Sequence, residues 1–269
     1  MPDDRVRVVF CDSGVGGLPY LAQARAALPQ LRMDYFADRQ GFPYGNKPPD
    51  MVVELVSRAM TAIVAQLCPA AVVLACNTAT QLAITVLRQN FPYLSIIGTV
   101  PAVKPAARLS RTGRIAVLAT ERAAADPYLV ALAAQWAPDC HVERIGVPAL
   151  VEFVENRLIG SSADERLAAV RPAVHLALDA GADAIVLGCT HFVHLARAFS
   201  AVAGPDVSIV DSRAGVCMQL ASKLVAASTD PKRTVVRGAM YLSGQEPFGA
   251  VHESFARLFD LEPAGILYA

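Results

Sequence analysis

The six cysteines, at positions 11, 68, 76, 140, 189 and 217, form no CxxC pair, so neither a thioredoxin-type redox site nor a four-cysteine zinc site finds support. Neither sign of charge is in excess. The 24 Lys and Arg balance the 24 Asp and Glu, which removes any electrostatic reason to expect nucleic acid as a partner. No apolar run reaches the roughly 18 residues of a membrane span, and the opening MPDDRVRVVF carries no apolar stretch of signal-peptide length. Low-complexity tracts are absent as well. What remains is the composition of a compact protein, 54% hydrophobic and 18% charged over 269 residues, enough for one large core or two modest ones. We expect a cytoplasmic protein whose thiols are mostly free and whose individual cysteines are, by default, small core residues.

Strand-like runs alternate with helix-like ones: VRVVF then LPYLAQARAAL, AAVVLA then ATQLAITVLRQ, RIAVLA then DPYLVALAAQWA, ADAIVLG then HFVHLARAFSAV. Strands that are apolar throughout and separated by helices predict parallel sheets covered on both faces, hence an α/β fold. Joints are expected at TVPAVKPAA (99–107) and GPDVSIVDS (204–212), which would make the middle of the chain one lobe and return its C-terminal part to the first. Beyond DPKR (230–233) the pattern is less regular and reads as a hairpin-like or short helical ending.

AVVLACNT at 71–78 reappears as AIVLGCTH at 184–191, with Val73, Leu74 and Cys76 matched by Val186, Leu187 and Cys189. The similarity predicts two related lobes, each delivering a cysteine from the C-terminal end of a strand, the edge where α/β sheets bind ligands. A cysteine at a helix N-terminus has a larger thiolate fraction, because the unpartnered N–H groups and the helix dipole favour negative charge. One thiolate removing a proton from one face of a carbon, while a thiol supplies one to the other face, inverts the carbon's configuration. General acid–base catalysis contributes about 10²- to 10⁴-fold, too little alone for an amino-acid α-carbon, so electrostatic stabilisation of the carbanion must supply much of the rest.

VVFCDSGVGGLPYL offers Asp12, Ser13 and the glycines 14, 16 and 17 between a strand and a helix. Such a turn can bring backbone N–H groups close to an anion, or can simply be a tight turn. A dinucleotide fingerprint starting at Gly14 fails, because Pro19 stands where glycine is required. Asp12 could orient an ammonium group, assist a thiol, or merely cap. FPYGNKPP (42–49) is a connection or a pocket rim. His191 and His194 follow Cys189 closely, but no carboxylate stands in a recognised ligand pattern, so no metal is expected. His194 reads as a partly exposed helix residue; His141, His175 and His252 have no local constellation.

With CDSGVGGL, FPYG, ACNTAT, GTVPAVKPAARL and GCTHF in that order, the chain closely resembles the glutamate racemase family of the aspartate/glutamate racemase superfamily, over nearly everything from residue 8 to about 225. The resemblance implies two α/β lobes with pseudo-twofold symmetry, residues 1–98 plus 209–269 and residues 99–208, with the active site in the cleft between them. It implies an enzyme without pyridoxal phosphate, other cofactor or metal, which interconverts L- and D-glutamate and supplies D-glutamate for peptidoglycan and so for cell shape. A homodimer is implied too, with no membrane partner. Carried over by position, Cys76 is the base toward D-glutamate and Cys189 the base toward L-glutamate. Asp12, His191 and Glu155 assist them. Asp12, Ser13, Pro43, Tyr44, Gly45, Asn77, Thr78, Thr120 and Thr190 fall on substrate-binding positions. A shifted alignment would exchange Glu155 for Glu152.

Two departures bear on the substrate. Ala123 stands where the family usually has a second threonine after the one matched by Thr120, and Phe192, Val193 and His194 replace the usual residues after the histidine. Within the superfamily, aspartate is the alternative substrate, since one methylene is a modest energetic distinction. A cysteine-nucleophile hydrolase built on Cys189 and His191, and a non-catalytic glutamate-binding protein, are the alternatives from other classes.

Overall fold

The computed structural model describes residues 5–224 and 236–267. The chain divides into two compact units, one running up to Thr99 and resuming at Arg213, the other spanning Val100–Ser212. The first unit opens with β1 (Arg7–Asp12), α1 (Leu18–Ala27), β2 (Arg32–Ala37), α2 (Pro49–Leu67), β3 (Ala71–Leu74), α3 (Asn77–Asn90) and β4 (Ser95–Gly98). The second holds α4 (Val103–Leu109), β5 (Arg114–Ala119), α5 (Glu121–Ala125), α6 (Pro127–Trp136), β6 (His141–Gly146), α7 (Ala149–Asn156), α8 (Ala163–Asp179), β7 (Ala184–Leu187), a 3₁₀ segment Thr190–Leu195, α9 (Ala196–Ala203) and β8 (Ser208–Val210). The chain then rejoins the first unit with α10 (Arg213–Leu224), β9 (Gly238–Leu242), α11 (Ala250–Leu258) and β10 (Leu261–Ile266).

The first unit is a six-stranded sheet in the order β10-β9-β2-β1-β3-β4, and the second a four-stranded sheet in the order β6-β5-β7-β8. Every described strand pair is parallel. The sequence dictates this, because AVVL and AIVL are buried at all four positions and need helices on both faces. On one face of the first sheet Val9, Cys11, Val72 and Leu74 pack against Val56, Met60 and Ile63 of α2 and Ala83 and Leu87 of α3. In the second unit Ile115, Val117, Ala184 and Val186 pack against Val103 and Ala106 of α4 and Leu129 and Leu132 of α6.

Both units share one winding. From β1 the chain adds β2 on one side, then returns to place β3 on the other; from β5 it adds β6 on one side and β7 on the other. Registers agree as well: Cys11 pairs with Leu74, and Leu118 with Leu187. One residue further the same backbone bond recurs, Ala75 N–H to the Cys11 carbonyl at 2.8 Å and Gly188 N–H to the Leu118 carbonyl at 2.7 Å.

The structure corrects two expectations. The tail is neither a hairpin nor a short helix; β9, α11 and β10 form a parallel crossover on the edge of the first sheet. Its anchor is buried Asp34 on β2, whose carboxylate accepts the Ala239 N–H at 2.8 Å. In HFVHLARAFSAV the α-helix begins only at Ala196, because Phe192 N–H closes a 3₁₀ turn onto the Cys189 carbonyl at 3.1 Å. DPKR (230–233) lies outside the described residues. Among the described residues no helix is long and apolar enough to cross a membrane.

Candidate active site

In each unit the crevice beyond the paired central strands is a topological switch point, the position at which open α/β sheets bind ligands. In the first unit this is the end of β1 and β3. Cys76, two residues past β3, has extended backbone (φ −141°, ψ 119°) and caps the 14-residue α3. Its carbonyl accepts the Thr80 N–H at 2.9 Å, so the sulfur sits at the positive end of a full α-helix. The hydroxyls of Thr80 and Thr99 both donate to the Leu74 carbonyl, at 3.2 and 3.1 Å, which fixes the strand end that carries Cys76. Asn77 and Thr78 open the helix, and both are buried.

Asp12 ends β1 and is buried; one oxygen accepts the N–H of Ser13 at 2.6 Å and its hydroxyl at 3.3 Å. The carboxylate therefore caps its own turn. The glycine turn does other work than the sequence suggested at Gly17. Its N–H is taken by the Tyr35 hydroxyl at 3.0 Å, which in turn donates to the Gly14 carbonyl at 2.8 Å. A Cβ at Gly17 would come within 2.6 Å of the Ala75 Cβ, so glycine is required there by close packing against the strand end beside Cys76.

The loop after β2 carries Pro43, Tyr44 and Gly45, with a 3₁₀ turn over Tyr44–Asn46. Tyr44 is buried and donates its hydroxyl to Asp38 Oδ2 at 2.6 Å. Burial first, then the charge of Asp38, raise its pKa well above the ordinary phenol value, with weaker contributions from Cys11 and Cys76. The phenol accordingly stays protonated beside the Cys76 strand end. Burial, followed by Asp38 and Asp12, likewise pushes the Cys11 thiol up, which makes Cys11 a neutral core residue.

In the second unit Cys189 stands two residues past β7, again extended (φ −128°, ψ 136°), and opens the 3₁₀ segment. His191 Nδ1 lies 3.8 Å from its sulfur, and His191 Nε2 lies 2.6 Å from Glu155 Oε1 on α7. All three are buried. Burial pulls the His191 pKa down, but hydrogen bonds and charge from Cys189 and Glu155 outweigh it and hold the ring well above its ordinary value. A protonated ring would carry a proton on each nitrogen, one toward the carboxylate and one toward the sulfur. Glu152, the alternative acid, is exposed on the same helix. Thr190 is buried beside Cys189. Thr120, directly after β5, caps α5 by accepting the N–H of buried Ala123 at 3.3 Å. His194 is half-buried within the 3₁₀ segment.

Of the residues singled out in the sequence, the first unit gathers Asp12, Ser13, Cys76, Asn77 and Thr78 at its sheet edge, with Pro43, Tyr44 and Gly45 on the loop after β2. The second gathers Cys189, Thr190, His191, Glu155 and Thr120. Sequence reasoning missed Tyr35, Asp38 and Ser243. Asp38 had a signal: it follows β2 as Asp12 ends β1, in FAD and FCD. Ser243 had none, since its partner lies 205 residues away.

A thiol with an ionisable neighbour at the switch point of each of two parallel sheets is the equipment of an acid–base enzyme. Residues 18–219 match the family described as Asp/Glu/Hydantoin racemase. A glutamate racemase from Pectobacterium carotovorum is 37% identical over 239 residues, 88% of this chain and 82% of that protein. One from Treponema pallidum is 34% identical over 268 residues, covering 98% of this chain and 97% of its own. Among solved structures, Escherichia coli glutamate racemase in complex with L-glutamate and the activator UDP-MurNAc-Ala superposes with a TM-score of 0.84 at 32% identity, covering 98% of both chains. The chain belongs to the Asp/Glu/Hydantoin racemase family. It is a racemase, and these relatives within the family are glutamate racemases.

Proposed function

We propose that this chain interconverts L- and D-glutamate without a cofactor, by proton transfer between the substrate α-carbon and two cysteines, one acting on each face. The observation that carries the reading is the equivalence of Cys76 and Cys189: same distance past equivalent strands, same extended backbone, each opening the helical segment that follows. Cys189 is the base toward L-glutamate, with His191 beside its sulfur and Glu155 bracing the far side of the ring. Cys76 is the base toward D-glutamate, with Asp12 at the end of the adjacent strand β1 as its assisting group. In the L to D direction the Cα–H bond breaks, its proton passes to the Cys189 thiolate, and the S–H proton of Cys76 forms the new Cα–H bond. The two sulfurs exchange protonation states and are reset by solvent. Ser13, Asn77, Thr78, Thr120 and Thr190, with the Pro43–Gly45 turn, hold the substrate's polar groups.

Family membership supports the further reading that a homodimer in the cytoplasm supplies D-glutamate for peptidoglycan and cell shape. The test is racemisation of L- and D-glutamate, beside L- and D-aspartate, in heavy water with purified protein. Solvent deuterium should appear in the product while early recovered substrate stays protiated. Transfer of the substrate's own proton to the product would refute the two-base scheme, and turnover of aspartate alone would refute the substrate.

A further inference from the structure

One buried carboxylate that the scheme above does not use lies beside this site. Asp38 stands one residue past β2 and is almost fully buried. Its Oδ2 accepts the Tyr44 hydroxyl at 2.6 Å; its Oδ1 accepts the Ser243 hydroxyl at 2.6 Å and the Gly41 N–H at 3.2 Å. Ser243, fully buried one residue past β9, is itself fixed by the Gln40 N–H at 2.9 Å. Both oxygens of Asp38 are therefore committed within a closed set of donors. A Cβ at Gly41 would collide with the Asp38 carboxylate and come within 2.9 Å of the Tyr44 ring, so the turn is built around this clasp with no spare volume. The clasp joins the ends of β2 and β9 to the turn bearing Pro43, Tyr44 and Gly45.

We infer that Asp38 is a positioning residue for racemisation, supported by Ser243, which acts through Tyr44 to hold the 42–46 turn against the strand end carrying Cys76. The hydroxyl proton of Tyr44 is spent on Asp38, so the phenol oxygen can offer only lone pairs to a donor such as an ammonium group. The parallel C-terminal crossover thereby contributes to the site through Ser243, although no residue of the tail stood out in the sequence. A buried carboxylate receiving two hydroxyls near 2.6 Å is a short, charge-assisted arrangement, stiff enough to set a turn.

This inference rests on the proposed glutamate racemisation, so the unaltered protein is assayed first; absence of turnover there refutes that reading and not the clasp. Given turnover, Asp38→Asn and Tyr44→Phe should each lower kcat/KM by about tenfold, mostly through KM. The double variant should stay within about twofold of the worse single one, because the two residues act in series. Ser243→Ala, the mildest change, should lower kcat/KM by about threefold in the same sense. If Asp38→Asn does not fold, the cycle of Ser243→Ala with Tyr44→Phe is read by the same rule. Multiplying losses in either cycle, or a lowered melting temperature with kcat and KM unchanged, would overturn the inference.

Discussion

The two units build the same strand-end cysteine and then surround it differently. Counting one register step beyond the last paired residues, Asp12 of the first unit matches Ala119 of the second, and Thr78, two residues past Cys76, matches His191, two past Cys189. The first unit draws its ionisable neighbour from the adjacent strand as a carboxylate. The second draws it from its own following turn as an imidazole braced by Glu155. The helical segments differ in step: Cys76 caps a 14-residue α-helix, while Cys189 opens a 3₁₀ turn of six residues.

The largest effect should follow loss of either sulfur. Cys76→Ala and Cys189→Ala should each abolish racemisation to background, a fall of at least about 10³-fold, because each removes the only proton carrier proposed for one face. If one variant kept full turnover, the equivalence of the two strand ends would be broken as a functional statement. Next in size, Asp12→Asn and His191→Asn should each lower kcat/KM by about 10- to 100-fold. Asn at position 12 keeps an acceptor for the Ser13 N–H, so the turn survives while the charge is lost. The enantiomers are equal in free energy, so kcat/KM must fall equally in both directions and cannot tell the sides apart. The discriminating measurement is the α-deuterium isotope effect, expected to rise on D-glutamate for Asp12→Asn and on L-glutamate for His191→Asn. A rise on the same enantiomer in both would show that the neighbours are not divided between the thiols.

Glu155→Gln sharpens the comparison on the second side. The carboxylate is among the groups that raise the His191 pKa against the opposing effect of burial, so its removal should bring the ring's midpoint down, read by NMR titration, with kcat/KM reduced about tenfold. The sign for stability follows. With the folded pKa raised, the protonated ring's contribution is complete below the ordinary value of 6.5 and is lost as pH rises through the folded value. The unaltered protein should therefore lose stability between neutral and alkaline pH more steeply than Glu155→Gln. An unchanged ring midpoint in the variant would remove Glu155 from the role given to it.

What could be read from the sequence divides along similar lines. β1, β3, β5 and β7 were legible because a strand buried on both faces must be apolar along its interior, and the paired cysteines were legible because they stand two residues past β3 and β7. The β9–α11–β10 crossover was not, since the sheet it joins is encoded some 200 residues earlier and its anchor is the side chain of Asp34. Motif order placed Glu155 and His191 on the page, but their contact depends on how α7 meets the 3₁₀ segment. Nor could the spacing in HFVHLARAFSAV distinguish an α from a 3₁₀ start, because both bury Phe192 and Leu195. The glycine turn misled at Gly17, where the constraint is a neighbouring Cβ and a tyrosine hydroxyl rather than an anion.

The smallest effect tests how each unit braces the segment beyond its first strand. Phe10 pairs with Tyr35 and the equivalent Val117 pairs with Arg144, so Tyr35 and Arg144 occupy matching places on β2 and β6. Both reach across to the segment that follows, the glycine turn in the first unit and the short helix α5 in the second. Tyr35 serves Gly14 and Gly17 from a fully buried hydroxyl, whereas Arg144 donates to the Ala124 carbonyl at 3.2 Å from an exposed edge strand. Water can replace the second bond but not the first. Tyr35→Phe should therefore cost about 1–3 kcal/mol in denaturant unfolding, the penalty for stranding a buried N–H and carbonyl, and Arg144→Met less than about 1 kcal/mol. Equal costs would mean that the edge strand shields its bond as well as the sheet interior does. The two units would then be alike in the one respect where burial makes them differ.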